Sequence, residues 1–255
     1  MGRALIQGML ACRFVPGRRI LGWDPDSAKL RGLVRSFRIR PARSNRKLAE
    51  GSDVILLAVK PQQMGAVLEE IRPHLRHRPL VISIAAGVRI GRIEKALGDR
   101  VPVVRVMPNS PALIGRGISA VAAGRAAGRQ HLAVAEALFR GVGRVVRVPE
   151  RWMDAVTAVS GSGPAYFFFL MEEMIRAGVG LGLSPSAARE LVLSTAEGAA
   201  ALARSEPDPA ALRARVTSRG GTTEAAFRCF TRAGLGRILG AGIRAAARRS
   251  KALSR

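Results

Sequence analysis

Short runs rich in valine, isoleucine and leucine recur along the first 148 residues, bounded by glycine, proline or charged positions. They lie at 18–23 (RRILGW), weakly at 37–39, then at 53–60 (DVILLAVK), 79–87 (PLVISIAAG), 101–108 (VPVVRVMP), 117–124 (GISAVAAG) and 143–149 (GRVVRVP). Several are apolar at nearly every position, which predicts strands buried on both faces. Helical spacing fills the intervals, as at 62–75 and 128–140. Strands alternating with helices predict βαβ units and an α/β, doubly wound parallel sheet.

After Trp152 the strand runs stop. The spacing predicts helices over 152–159, 164–179, 185–204, 209–216 and 223–233, and a last one from about Leu235. Pro164, Pro185 and Pro209 each fall at a first helical position, where the missing N–H costs nothing. The pattern divides the chain into an α/β domain over 1–149 and an all-α domain over 150–255. The stretch AYFFFLMEEMI (165–175) is too apolar for a solvated helix and predicts either the middle of a bundle or a subunit interface, the small size of the domain favouring the interface.

Charge changes the picture less than its size suggests. The 255 residues carry a formal net charge of +24, from 42 basic and 18 acidic side chains. Only five of the basic residues are lysines, and the arginines are scattered apart from a basic tail around Arg244, Arg248 and Arg249. Aromatic residues make up 4%, with no visible stacking platform, so no nucleic-acid partner is expected. No uninterrupted apolar run reaches about 18 residues, so no transmembrane helix or membrane partner is expected. The first residues do not read as a signal peptide, and a cytoplasmic protein is expected. Cys12 and Cys229 both sit in apolar helical patterns and are expected to be reduced core residues.

The chemistry-bearing stretches are small and glycine-rich. In VTSRGGTTEAAF (216–227), two glycines and two threonines precede a helical run. Thr222 or Thr223 is expected to cap that helix, and Glu224 suits its first turn. A helix start with free N–H groups and hydroxyls suits an anion such as a small carboxylate. VSGSGPAYFF (159–168) is not a nucleophile elbow, since proline follows it and the preceding strand is lacking. His74, His77 and His131 lie in polar surroundings, and no cluster has metal-ligand spacing, so hydrolase and metal chemistry are not expected. AVKP (58–61), SIAAG (83–87) and MPNSP (107–111) end three strands, where open α/β sheets bind ligands.

Taken together, AVKPQQM, SIAAGV, RVMPNSPALIGRG, AVSGSGPAYFF and above all VTSRGGTTEAAF resemble the pyrroline-5-carboxylate reductase family, in order and along essentially the whole chain. The resemblance implies a Rossmann-type dinucleotide-binding domain followed by a helical substrate-binding and dimerisation domain, associating as a dimer or a ring of dimers. It implies hydride transfer from NADPH, or NADH, to the C=N carbon of pyrroline-5-carboxylate, giving L-proline in the last step of proline synthesis. Such chemistry needs alignment more than acids and bases. By the resemblance, the substrate carboxylate meets the backbone around Gly220, Gly221 and Thr222 and the hydroxyls of Ser218 and Thr223. Thr223 also faces the ring nitrogen as the catalytic candidate, and Glu150 faces the cationic nitrogen. Asn45 lies near the adenosine phosphate, Val59, Lys60 and Pro61 line the ribose and pyrophosphate, and Ala85 and Ala86 line the nicotinamide.

Arg219 departs from the family, which usually has proline there. Asp24 suits the free ribose hydroxyl of NADH, whereas Arg38, Arg40, Arg43 and Arg46 could gather a 2′-phosphate; the balance favours NADPH. A dehydrogenase of the β-hydroxyacid type is the alternative enzyme, but it needs a catalytic lysine, and none lies between Lys95 and Lys251. A non-catalytic relative is a third reading. In the resembled family the first strand runs into G-x-G-x-x-G, and Gly2 of MGRALIQGML matches the third glycine. Met1 then reads as an internal methionine, with the first strand and two glycines absent: either the start lies upstream, or the product is truncated. Loss of that central strand is expected to leave its two neighbours unpartnered.

Overall fold

A computed structural model of the chain describes residues 1–206 and 208–253. It forms two compact units: Met1–Ser162 together with the chain from Ala246 on, and Gly163–Ala245.

The first unit runs α1 (Gly2–Ala11), β1 (Leu21–Gly22), α2 (Ser27–Phe37), β2 (Arg40–Pro41), α3 (Asn45–Glu50), β3 (Val54–Leu57), α4 (Met64–Ile71), β4 (Leu80–Ser83), α5 (Ile90–Leu97), β5 (Val103–Met107), β6 (Gly117–Ala123), α6 (Arg129–Arg140), β7 (Gly143–Arg147) and α7 (Met153–Val156), which passes into a π-turn at Thr157–Gly161. The strands at 18–23 and 37–39 shrink to two residues each, and the second shifts to Arg40–Pro41.

β3 to β7 make one five-stranded sheet in sequence order. All pairs are parallel except β5 with β6, where Val104 faces Ala123 and Met107 faces Ala120. One antiparallel pair thus lies within the doubly wound arrangement. Only residues 108–116 separate the two strands, and a parallel crossover needs a dozen or more residues. β1 and β2 pair in parallel as a separate two-stranded sheet, so β1 and β3 each have a sheet partner on one side among the described residues.

Both faces of the larger sheet are covered, as the near-continuous apolar runs require. On one, Ile55, Leu57, Val81 and Val103 meet Met64, Leu68 and Ile71 of α4 and Ile93 and Leu97 of α5. On the other, Leu80, Ile82, Val104 and Val106 meet Leu5 and Met9 of α1 and Leu138 and Phe139 of α6. α1 is therefore a core element. A side chain on Gly8 would place its Cβ 2.7 Å from the Gly141 carbonyl oxygen, so glycine is required where α1 crosses the end of α6.

The second unit holds α8 (Gly163–Gly180), α9 (Pro185–Ser205), α10 (Pro209–Arg215), α11 (Thr222–Arg232) and the start of α12 (Leu235–Leu253). Pro185 and Pro209 open their helices as expected, whereas α8 begins one residue before Pro164. The Ser184 hydroxyl accepts the Ala187 N–H, and Asp208 accepts those of Ala210 and Ala211. α8 and α9 pack through Gly178 and Ala188. The apolar stripe, however, is uncovered within one chain, with Phe167, Phe168 and Phe169 each more than 60% exposed. No described helix is long and apolar enough to cross a membrane. Cys12 and Cys229 are free and exposed, not core residues. Cys12 has moved past the buried face of α1 to its C-cap, and α11 has no buried residue in the single chain.

Glu136 of α6 is nearly buried and accepts from Arg147 of β7 and from Arg140. The Arg147 guanidinium, aided by Arg140, holds its carboxyl below the usual carboxylate range. A depressed carboxylate stabilises the fold above its unfolded pKa, and that contribution is lost as pH falls through the folded value. Glu136→Gln is therefore expected to lower the thermal midpoint by a few degrees at neutral pH. The gap from the parent should close as the pH is taken into the acid range, as followed by circular dichroism.

Candidate functional site

In the first unit, two turns beyond the C-terminal ends of β3 and β4 gather most of the expected coenzyme residues. After β3 the chain runs through Ala58 and Val59 into a single turn of 3₁₀ helix, Pro61–Gln63, with Lys60 at its N-cap. Val59 leans on the core while Lys60 is exposed. Gly2 is brought to the same place, since a Cβ on it would lie 3.6 Å from that of Ala58. It opens α1, a helix of ten residues with no side-chain cap. The first turn of α1 therefore points N–H groups at this edge with no acceptor among the described residues.

The turn after β4 carries Ala85 and Ala86. Its own hydrogen bonds are long: the Ala85 N–H to the Ser83 hydroxyl and the Val88 N–H to the Ala85 carbonyl both span 3.4 Å. Firmer ties come from distant chain. One carboxylate oxygen of Glu150 accepts the Ile90 N–H at 2.6 Å, capping α5 from 60 residues away. The same oxygen accepts from Arg105 of β5 at 3.2 Å. Arg105 is 3% exposed, and its Nη2 is a buried side-chain nitrogen with no acceptor among the described residues. Leaving such a donor unmatched costs about 1–3 kcal/mol. Gly87, at φ +75°, lies against the last residue of α12: a Cβ there would be 3.0 Å from that of Leu253. Ser250, one turn earlier, donates to Asp154 at 2.7 Å.

These contacts bear on the expectation that Glu150 faces a substrate cation. Its engaged oxygen serves Ile90 and Arg105 within the first unit, an architectural task. Sequence reading missed Arg105 because an arginine inside VPVVRVMP reads as an interruption of a strand. The only available signal was that a buried charge needs a counter-charge.

Asn45 begins α3, behind a Ser44 cap, and donates to Glu70 at 2.8 Å. Of the nearby arginines, Arg46 is committed to Glu50, whose carboxyl is drawn down to about 2 by Lys47 and Arg46. Arg38, Arg40 and Arg43 are exposed. Asp24 accepts the Asp26 N–H at 2.9 Å, and Asp26 in turn caps α2.

The second unit presents the loop before α11. Gly220 has φ +74°, and a Cβ on Gly221 would lie 2.5 Å from the Ser218 hydroxyl, which would have to turn away, and 3.1 Å from the Ser218 carbonyl oxygen. Gly221 is the N-cap, so neither threonine caps the helix as expected. The helix has no side-chain cap; Glu224 instead reaches back past the N-cap and accepts the Gly220 N–H at 2.6 Å. The Gly221 N–H is used on the Ser218 carbonyl at 3.1 Å. Two of the backbone donors expected to meet a ligand are thus spent inside the loop. The N–H groups of Thr222 and Thr223 have no acceptor among the described residues and stand beside their own hydroxyls. Thr223 is half-buried; Ser218 and Arg219 are exposed. The result is a small anion cradle with hydroxyls but no general base. No group of three histidine, cysteine or acidic residues placed to hold a metal occurs among the described residues.

Comparison with known proteins agrees across the chain. The family described as pyrroline-5-carboxylate reductase dimerisation matches residues 150–253, and that described as NADP oxidoreductase, coenzyme F420-dependent, matches residues 1–87. A pyrroline-5-carboxylate reductase from Pseudomonas aeruginosa is 43% identical over all of this chain and 93% of its own. The solved structure of a pyrroline-5-carboxylate reductase from Coxiella burnetii is similar with a TM-score of 0.93 and 36% identity, covering 100% of this chain and 95% of that one. The Plasmodium falciparum enzyme, solved with NADP bound, gives a TM-score of 0.90 at 30% identity, with the same coverage.

The Glu224 contact yields a direct expectation. In Glu224→Ala, amide exchange at Gly220 should accelerate at least about tenfold, since one short charge-assisted bond is removed. Exchange deep in α6 should not change. Hydrogen-exchange mass spectrometry resolves the two.

Proposed function

The chain belongs to the pyrroline-5-carboxylate reductase family, and on that premise we propose that it reduces L-1-pyrroline-5-carboxylate to L-proline with a reduced nicotinamide dinucleotide, completing proline synthesis. The observation that carries this reading is the pair of prepared cradles: acceptor-free N–H groups at the start of α1 beside the 58–61 turn, and at Thr222 and Thr223 beside their hydroxyls.

The first unit takes the coenzyme. The start of α1 at Gly2 and the turn Val59–Lys60–Pro61 receive the phosphates and ribose, and Asn45 stands on the adenosine side. At the turn expected for the nicotinamide, the half-buried Ala86 offers a small wall, where a larger side chain would displace the ring, and Ala85 packs into the core behind it. The bound coenzyme supplies a hydride. Exposed Arg38, Arg40 and Arg43 favour NADPH through its 2′-phosphate, and Asp24, already engaged by the Asp26 N–H, is less available to a ribose hydroxyl.

The second unit takes the substrate. Its carboxylate accepts from the N–H groups of Thr222 and Thr223 and the Ser218 hydroxyl, with Gly220 and Gly221 setting the loop's shape. The Thr223 hydroxyl hydrogen-bonds the ring nitrogen. Protonation of that nitrogen makes the C=N carbon electrophilic, and hydride addition then gives the secondary amine without further proton transfer. The chain self-associates through its dimerisation region, in keeping with the exposed phenylalanines of α8. A ring of dimers and a cytoplasmic location belong to the same reading.

Purified protein given pyrroline-5-carboxylate should consume NADPH, seen as loss of nicotinamide absorbance; no consumption above background would overturn the proposal. Thr223→Ala should lower kcat/KM about tenfold or more, the worth of one substrate hydrogen bond. Ala86→Leu should weaken NADPH while leaving 2′-phospho-ADP-ribose, which lacks the nicotinamide, unaffected in calorimetry.

A further inference from the structure

We infer that Glu150 and Arg105 are positioning residues for the nicotinamide turn: their pair holds residues 85–90 at the height hydride transfer requires, without touching coenzyme or substrate. This deepens the proposed function and rests on its placing of Ala85 and Ala86 against the nicotinamide.

Three observations carry it. First, the turn is poorly held by itself, its two internal bonds both spanning 3.4 Å. A bond of that length restrains a backbone weakly. Second, the strong restraint is Glu150, whose oxygen takes the Ile90 N–H at 2.6 Å, four residues beyond Ala86. Arg89, the N-cap of α5, gives no side-chain cap, so this carboxylate performs the task from another part of the chain. Third, the carboxylate is itself fixed by Arg105, which rises from β5, beside β4. A guanidinium 3% exposed with one nitrogen unmatched is a poor choice for stability alone. It makes sense where a rigid, charge-defined anchor is needed at one place.

The alternative is that the pair merely stabilises the first unit. The two differ in what they do to the two halves of the coenzyme. A loosened unit binds every ligand more weakly. A misplaced 85–90 turn affects only the nicotinamide half, since the 58–61 turn and α1 stand on β3 and the core. Loss of a positioning contact also shows in kcat more than in KM for the substrate.

The test is titration of full-length Glu150→Ala, Glu150→Gln and Arg105→Lys with NADPH and with 2′-phospho-ADP-ribose, alongside turnover. Glu150→Ala should raise the Kd for NADPH and lower kcat, each about tenfold, with the Kd for 2′-phospho-ADP-ribose within about twofold of the parent. Glu150→Gln keeps an oxygen for the Ile90 N–H and should recover most of both. If Glu150→Ala does not fold, Arg105→Lys carries the test with the same selectivity at smaller size. Equal weakening of both ligands, or no change in either, overturns the inference. Ala86→Leu separates this from a failure of the underlying reading. If that variant binds NADPH as the parent does, the nicotinamide is not at this turn and both fall. If it discriminates and the Glu150 and Arg105 variants do not, the inference alone falls.

Discussion

A positive charge sits inside the five-stranded sheet. Arg105 occupies the middle of β5, its neighbours are buried valines, and water does not reach it. A cation so placed must meet a carboxylate, and this one meets Glu150. The consequence is topological. The chain leaving β7 has to bring residue 150 back over the ends of β4 and β5. Its carboxylate there also closes the open N-terminus of α5. α7, which follows at once, buries Met153 in the core, and Asp154 receives Ser250 from the end of α12. One electrostatic requirement thus draws three distant segments onto a single turn.

Much of this fold was readable from apolar periodicity. β4 is buried at all four positions, as a run such as PLVISIAAG demands, and the serine- and aspartate-led helix starts fall where proline marked them. The misses share a cause. The antiparallel return of β6 depends on connection length, not on the strand's composition. The start of α11 depends on the backbone: with glycine at the N-cap no side chain caps the helix, and Glu224, a turn into it, reaches back to the Gly220 N–H outside it. The cysteines read as core because their helices are amphipathic, but Cys12 falls just past the end of α1 and α11 buries no residue within the single chain. The pairing of Glu150 with Arg105 was not legible, because the two lie 45 residues apart in sequence.

The second unit shows the limit of a single chain. Few of its residues are buried; Ala188 and Val192 are the buried pair on its 21-residue α9. Phe167, Phe168, Phe169 and Leu170 form a contiguous exposed run on α8. A solvated patch of that kind works against a stable monomer, and burying apolar area stabilises by about 25 cal/mol per Å². Self-association is therefore part of how this unit holds its shape.

The same distinction applies to charge. Both reactants of the proposed reaction are anions, and a net charge of +24 raises their local concentration, but at physiological salt that attraction fades over about 8 Å. Arg219 stands exposed at the mouth of the loop, well suited to such attraction and poorly suited to fixing an angle. In the proposed reaction, orientation falls instead to short neutral donors with fixed geometry, the N–H groups of Thr222 and Thr223, next to a loop in which the Gly220 and Gly221 N–H groups are already satisfied internally. With Gly220 and Gly221 engaged from within, the proposed site has fewer ways to bind a carboxylate, and that restriction would turn a general attraction for anions into a defined pose for one.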